Sequence, residues 1–454
     1  MNKWTLILLL AVVLSNVSAY KILVAFPYPG KSHSILGEGY VRHLLAAGHE
    51  VTYVTALPYK KTHPKLRQVV AENVLEQFEF TKSLDFKKVI AKEVDLKDMH
   101  VMYKTMVIVA NRSLTHENVQ KFLMDTNERF DLVIAEWLYH HMYSGFLKDF
   151  EQQAYEDSYG PAAAKRGITL PPIEEVQYNG SLVLGNSHIS SGEAQRLPIN
   201  YVPIAGYHVQ DKIPPLPANL QKILDDAPHG VIYFSMGTMM KSKTMPMELK
   251  RDFLNMFSTL KQTVIWKLEE ELTDIPKNVH MVQWAPQPSI LAHPNCKLFV
   301  THGGLLSTTE TLHYGVPIIG IPLFADQFIN VLRGVRKGYA LQVDLGYDTP
   351  ANLKVAIEEI MSNPKYTQKV KELSFIYHHR QTKPGSTLVH WIEHVIETNG
   401  APHLRSPALH VPLYQKLFLD LIAFILLGLI VVVRMAKKLI GSSTTKNEVK
   451  KKRS

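Results

Sequence analysis

The sequence predicts an α/β protein of two doubly wound domains facing a cleft, followed by one C-terminal transmembrane helix. Three observations carry this. Short apolar runs alternate with helical stretches and Gly/Pro turns, first over residues 21–55 and again, more regularly, over 230–322. Such alternation builds parallel sheets covered on both faces. A proline-rich stretch, IAGYHVQDKIPPLPANL (204–220), divides the two series. Near the end, the uncharged run Leu421–Val433 meets a basic tail. At 454 residues the chain also exceeds one comfortable core.

Taken in order, residues 1–19 read as a secretory signal: Lys3, the apolar run Leu6–Leu14, then the small residues Val17-Ser18-Ala19. The alternative is an uncleaved N-terminal anchor. An N-terminal domain (20–203) opens on the strand KILVAF (21–26), a Pro/Gly turn and a helix over 35–47 that Gly48 ends. EVTYVT (50–55) and the run DLVIAEW (131–137) supply further strands. After the linker, a second domain (221–400) carries five candidate strands: GVIYFSMG (230–237), TVIWKL (263–268), NVHMVQW (278–284), KLFVTH (297–302) and VPIIGIP (316–322). Its last helix ends at Gly400.

A juxtamembrane segment (401–412) leads to the expected span, 413–433. Lys416 and Asp420 within it are one helical turn apart and able to pair. The tail, 434–454, holds eight basic residues against Glu448 alone, the positive-inside pattern of a type I protein with a lumenal body and a cytosolic tail. The tail thus accounts for most of the net charge of +9, which excludes a nucleic-acid surface on the body. The terminal KKRS resembles an endoplasmic-reticulum dilysine signal, or is simply basic residues near anionic lipid. The single cysteine, Cys296, permits no intrachain disulfide, and Asn111-Arg-Ser and Asn179-Gly-Ser are glycosylation sequons, the second beside an apolar strand.

The most informative stretch is KLFVTHGGLLSTTETLHYG (297–315). A strand ends at Thr301-His302, two glycines turn the chain, and a helix follows from Leu305 to His313. Gly303 and Gly304 remove the Cβ atoms that would keep a ligand from the backbone. The new helix then presents bare N–H groups and a positive dipole end, suited to a diphosphate, or the stretch is a plain turn with no ligand. Ser307 adds a hydroxyl and His302 an imidazole N–H; FSMGT (234–238) brings the Ser235 hydroxyl to a neighbouring strand end. Neither GxGxxG nor GxxxxGK[ST] is present, which disfavours a nicotinamide oxidoreductase or a P-loop enzyme.

The block WAPQPSILAHPNCKLFVTHGGLLSTTETLHYGVPIIGIPLFADQ (284–327) strongly resembles the signature of the UDP-glycosyltransferase family, invertebrate type. The resemblance implies a GT-B fold with the UDP-sugar, a co-substrate rather than a cofactor, in the C-terminal domain. Trp284 would stack on uracil, with Ala285 and Gln287 at its edge and toward the ribose. Glu310 would take the ribose hydroxyls, Ser235, His302, Gly304 and Ser307 the diphosphate, and Asp326 and Gln327 the sugar hydroxyls. Vertebrate members often carry Arg where this chain has Lys267 and Asn where it has Leu306, so the charge is kept without the bidentate fork. The implied donor is UDP-glucose, with UDP-glucuronic acid the other candidate. The acceptor would be a small lipophilic hydroxyl compound.

Transfer to a hydroxyl needs a base, and His33 in PYPGKSHSILGEG follows the first strand at the cleft-facing edge. An imidazole of ordinary pKa, about 6.5, suits that task near neutral pH. Glu136, at the end of DLVIAEW, is the candidate orienting partner, where the family has Asp; His140 and His141 lie nearby. No metal-ligand cluster is evident, so no metal cofactor is expected. Oligomerisation with related transferases is a further expectation. One departure stands out: past Glu136 the family adds another strand and several helices, whereas HHMYSGF (140–146) runs almost directly into LKDFEQQAYEDSYGPAAAKRG. A block of several tens of residues is missing, which predicts an N-terminal sheet lacking a strand and exposing apolar surface. Two readings follow, an active transferase with a remodelled acceptor pocket, and a membrane-anchored UDP-binding protein that turns over poorly and modulates full-length relatives.

Overall fold

The computed structural model describes residues 19–72, 74, 86–91, 93, 99–137, 144–238, 241–407 and 411–451. The secretory signal, His140, His141 and the final KRS lie outside the described residues. Up to Gly400 the described chain packs as one compact unit; the remainder forms a second.

The first sheet holds β1 (Lys21–Phe26), β2 (Glu50–Thr55), β3 (Leu66–Val70) and β4 (Leu132–Ala135), all parallel, in the order β3-β2-β1-β4. Among the described residues a parallel pair, β5 (Val183–Gly185) with β6 (Tyr201–Pro203), is hydrogen-bonded to neither sheet. The second sheet contains β7 (Val231–Ser235), β8 (Thr263–Lys267), β9 (Val279–Val282), β10 (Cys296–Thr301), β11 (Ile318–Gly320) and β12 (Ala340–Gln342), also parallel, in the order β12-β11-β10-β7-β8-β9. All five strands expected in the second half are present. Short, less apolar β3 and the three-residue strands β5, β6 and β12 gave too little periodicity to be read.

The helices that shape the site are α1 (Lys31–Ala46), α2 (Met99–Leu114), α3 (Ser144–Arg166), α4 (Met247–Ser258), α5 (Leu305–Tyr314), α6 (Gln327–Arg336) and α7 (Pro384–Glu397). Helix α1 begins four residues before the expected start, so His33 lies in its first turn and not in the preceding loop. The reason is local: Gly30 is extended, at φ −82° and ψ 137°, and its carbonyl already accepts the Ser34 N–H at 3.0 Å.

The β7–β8 face packs Phe234, Trp266, Phe253 and Phe257 into one aromatic cluster beneath α4, with ring centroids 5.3–5.9 Å apart. The N-terminal core is built from Ile22, Val24, Val41, Leu44 and Tyr53, joined by Leu388 and Ile392 of α7. The last helix of the second half therefore returns to the first, although chain order assigns it to residues 221–400. Glu393 accepts from His49 at 3.2 Å, and Tyr20 donates to Glu397 at 3.4 Å. A helix shared in this way ties the two sheets together, which chain order could not reveal.

In the second unit, a short helix (Leu413–Lys416) is separated from α8 (Leu419–Lys451) by Phe418, which adopts φ 54°. Lys416 and Asp420 therefore lie on different helices instead of one turn apart on one. Asp420 stands in the first turn of α8, where its carboxylate accepts the Leu421 N–H at 2.9 Å and favours the positive end of the helix. Residues Leu419–Leu439, not 413–433, form the stretch long and apolar enough to cross a membrane.

The shared helix gives a direct test. Leu388 is fully buried against the N-terminal core, so Leu388→Ala is expected to lower stability by about 2–5 kcal/mol. Thermal unfolding of the full chain measures this, and a loss under about 0.5 kcal/mol would mean that α7 does not bind the halves together.

Candidate active site

Each parallel sheet reverses its strand order once. In the first, β1 leads outward through β2 and β3 while β4 lies on its other side; in the second, β7 leads to β8 and β9 while β10, β11 and β12 lie opposite. The loops leaving strands on either side of such a reversal diverge and open a crevice at the carboxyl edge. His33 follows β1 and Glu136 follows β4. Ser235 ends β7 and Thr301 ends β10, paired in register. Both crevices contribute to one cavity of about 1590 Å³, whose walls include His33, Glu136, Ser235, Lys267, Trp284, Ala285, Gln287, His302, Gly304, Ser307, Glu310, Asp326 and Gln327. All of the sequence-expected catalytic and donor-site residues therefore line the same space.

At the first crevice, His33 Nδ1 lies 2.5 Å from Glu136 Oε1. A carboxylate acceptor fixes the proton on Nδ1, leaving Nε2 as the nitrogen with a free lone pair. Backbone geometry holds Glu136 in place, since its N–H donates to the Ala25 carbonyl of β1 at 3.0 Å. The Tyr28 ring sits 4.5 Å from the imidazole and limits its rotation. Burial, followed by the Glu136 charge, pushes the Tyr28 phenol up to about 12, so it stays protonated.

The second crevice is built around α5. Gly303 has φ 82°, and a Cβ there would lie 2.3 Å from Val331 Cγ2; a Cβ on Gly304 would lie 2.7 Å from His302 Nε2. Gly303 thus needs glycine for both its backbone and its space, while at Gly304 a side chain would have to displace the His302 ring. Gly304 caps α5 without a side-chain hydrogen bond, so the first N–H groups of the helix meet no capping side chain. Asn330 of α6 anchors the turn: its amide donates to the Gly303 carbonyl at 3.1 Å and to Asp326 Oδ2 at 2.8 Å. Sequence reading missed Asn330; its i+4 spacing from Asp326 was the available signal.

Burial dominates the electrostatics. His302 is lowered to about 4 by desolvation and then by the Lys267 charge, so it is a neutral hydrogen-bonding group at physiological pH. Glu310 is raised to about 7 by desolvation, opposed by its bond from Gln287. That amide donates to Glu310 Oε2 at 2.7 Å and to Ser307 Oγ at 3.1 Å. His208 Nε2 stands 3.9 Å from Glu310 Oε1 on the linker side, and burial lowers its pKa to about 3. Lys267 donates to the Gly237 carbonyl at 2.9 Å and to Glu269, with its Nζ 6.0 Å from the Trp284 ring. Trp284 itself is 60% exposed, an indole face open to the cavity. Asp326 is raised by desolvation, opposed first by its bond from Asn330 and more weakly by His33 of the other crevice. Gln327 Oε1 accepts the Leu323 and Phe324 N–H groups at 2.9 and 3.2 Å and thereby shapes the loop ahead of α6.

The sequons fall differently. Asn111 lies inside α2, lines the cavity and accepts from Ser158 Oγ at 2.9 Å, an inward placement. Asn179 is exposed at the end of a short helix (Ile173–Tyr178), not hidden beside a strand. Among the described residues no group of three His, Cys, Asp or Glu side chains converges as a metal site.

Comparison with known proteins agrees with this geometry. Residues 194–454 match the family described as UDP-glucoronosyl and UDP-glucosyl transferase. UDP-glucosyltransferase 2 of Dactylopius coccus is 31% identical over 92% of each chain. That alignment extends over 482 residues although 92% of this chain is only about 418, so the relative carries several tens of residues without a counterpart here. UDP-glucuronosyltransferase 2B15 of Rattus norvegicus is 37% identical over 52% of this chain and 44% of its own length. Among solved structures, Arabidopsis thaliana UGT89C1 complexed with UDP-L-rhamnose superposes with a TM-score of 0.59 at 14% identity, covering 84% of this chain and all of that one. Glycosyltransferase VinC in complex with dTDP gives 0.54 at 18% identity, over 83% of this chain and all of its own. These two likenesses speak for the fold; the sequence identity speaks for descent. With both in place, the chain belongs to the UDP-glycosyltransferase family and is a glycosyltransferase of GT-B fold that uses a UDP-sugar.

Proposed function

We propose that the chain transfers glucose from UDP-glucose to the hydroxyl of a small lipophilic acceptor with inversion, and that His33 is the general base. The observation that carries this is the 2.5 Å contact between His33 Nδ1 and Glu136 Oε1 in the cavity that also holds the Gly303-Gly304 turn. The acceptor oxygen attacks the anomeric carbon while His33 Nε2 takes its proton. The bond from that carbon to the UDP oxygen breaks, and its electron pair leaves with UDP. Glu136 orients the ring and stabilises the imidazolium as it forms.

On the donor side, Trp284 stacks on uracil, with Ala285 and Gln287 at its edge. Glu310 accepts from the ribose, and Asp326 and Gln327 engage the sugar. The charge growing on the diphosphate meets the bare end of α5, Ser307, Ser235, Gly304 and the neutral His302. Lys267 adds a cation close by, with no metal ion invoked. The body is lumenal, held at the endoplasmic reticulum membrane by α8. A second reading, a UDP-binding protein that turns over poorly, is favoured by the open outer edge of β4. UDP affinity and transfer measured on one preparation separate the two.

His33→Ala is expected to reduce kcat by about 10²–10⁴ while the Kd for UDP stays within twofold. Undiminished turnover would remove His33 from the mechanism. Glu310 gives an independent test. With a pKa near 7 it is mostly protonated at pH 6, and ribose hydroxyls donating to it favour the ionised form. UDP binding at pH 6 should therefore release close to one proton, a release that fades above pH 8. Calorimetry in buffers of different ionisation enthalpy measures it, and Glu310→Gln should lower it by close to one proton, leaving the share released by the terminal phosphate of UDP; equal release from wild type and variant would refute the ribose assignment. The same shift has a stability sign. A raised carboxyl favours the fold fully below about pH 4.5, and the advantage is lost as pH rises through 7. Wild type should thus lose about 3 kcal/mol relative to Glu310→Gln between pH 4.5 and 8, by chemical denaturation.

A further inference from the structure

We propose that this chain takes acceptors bearing an extended apolar tail, and that the tail lies in a slot between β4 and β5, with the hydroxyl head at His33. The proposal rests on the transfer reading above and adds the class of acceptor.

The slot arises from an interrupted sheet. Leu132-Val133-Ile134-Ala135 is a continuous apolar run, the composition of a parallel strand buried on both faces. Among the described residues β4 pairs only with β1, and Val133 is 58% exposed. Across from it, the β5–β6 pair is not hydrogen-bonded to the four-stranded sheet, yet Leu182, Leu184, Val202 and Ile204 pack on the same core as β1 and β2. One core is thus covered by two sheet fragments with a break between them. Both sides of the break, residues 132–135 and 182–185, line the cavity that reaches His33, and Tyr155 and Tyr159 of α3 wall it. The path from the transfer site into the break is continuous.

Polarity points the same way. The cavity of about 1590 Å³ is one space that holds both crevices and the break. A flat ring at His33 would leave the break open to water against apolar walls; a flexible hydrocarbon fills it. Asn186, directly after β5, lines the same cavity, and its side-chain amide atoms are buried without a hydrogen-bond partner. Such a group is costly unless satisfied.

The test is a series of 4-alkylphenols, methyl to nonyl, binding the full chain in nanodiscs with saturating UDP, followed by calorimetry, and in parallel their conversion with UDP-glucose. Each methylene is expected to tighten binding about fourfold until the slot is full. Val133→Glu, at an exposed edge position that the fold tolerates, should flatten the slope, and Val133→Leu should keep it. Partition into the nanodisc is common to all three proteins and cancels in the comparison. Affinity independent of length, or equal slopes for wild type and Val133→Glu, would overturn the slot. Length-dependent binding lost in Val133→Glu, with no glucose transfer to any member, would uphold the slot and sink the transfer reading instead.

Discussion

Parallel pairing is the constraint from which the site descends. Strands that run the same way end at the same edge, so the turns leaving them gather there, and a reversal of strand order parts two of those turns into a crevice. Both sheets reverse beside their first strands, at β1–β4 and at β7–β10. The His33–Glu136 pair occupies one crevice and a glycine turn with a bare helix end the other. Neither set is close in sequence: His33 and Glu136 are 103 residues apart, and Ser235 meets Thr301 only through the ladder. The α7 crossing then holds the halves in one unit, because Leu388 and Ile392 complete a core whose other members come from β1, β2 and α1.

Low polarity around the second crevice decides what charge it accepts. A neutral His302 and a carboxyl on Glu310 near 7 both express the same desolvation, which disfavours any lone charge. The buried cation, Lys267, is paired with Glu269 and a backbone carbonyl. Under the proposed function a diphosphate would be met mainly by hydrogen-bond donors and a helix end, which stabilise charge without a matching full charge of their own. Such a site would lose little when the leaving group departs, since Lys267 keeps its own partners.

Sequence legibility tracks how local each signal is. The Gly303-Gly304 turn could be read because strand, turn and helix are contiguous, and the five second-half strands because each is a long apolar run. His33 was placed one structural step too late, in a loop, since Pro27, Pro29 and Gly30 mask a helix that starts at Lys31. Asn330 was missed for a different reason: its i+4 spacing from Asp326 is a local signal, but its value lies in joining Asp326 to Gly303 across 23 residues, which that spacing does not show. The bend at Phe418 likewise had no marker, because a non-glycine residue at positive φ carries no distinctive local pattern.

The interrupted N-terminal sheet follows from the missing block and also limits its damage. Removing a strand from a parallel sheet would ordinarily expose two edges and the apolar surface behind them. Here β6 and the start of the linker, through Val202 and Ile204, still pack on the β1–β2 core, so the fragment beyond the break is held by side chains in place of ladder hydrogen bonds. The exposed remainder is narrow, centred on Val133 and bounded by α3 and the β5 side. Because that opening lies beside β4, the second crevice retains its β7–β10 register, its glycine turn and its Asn330 anchor intact.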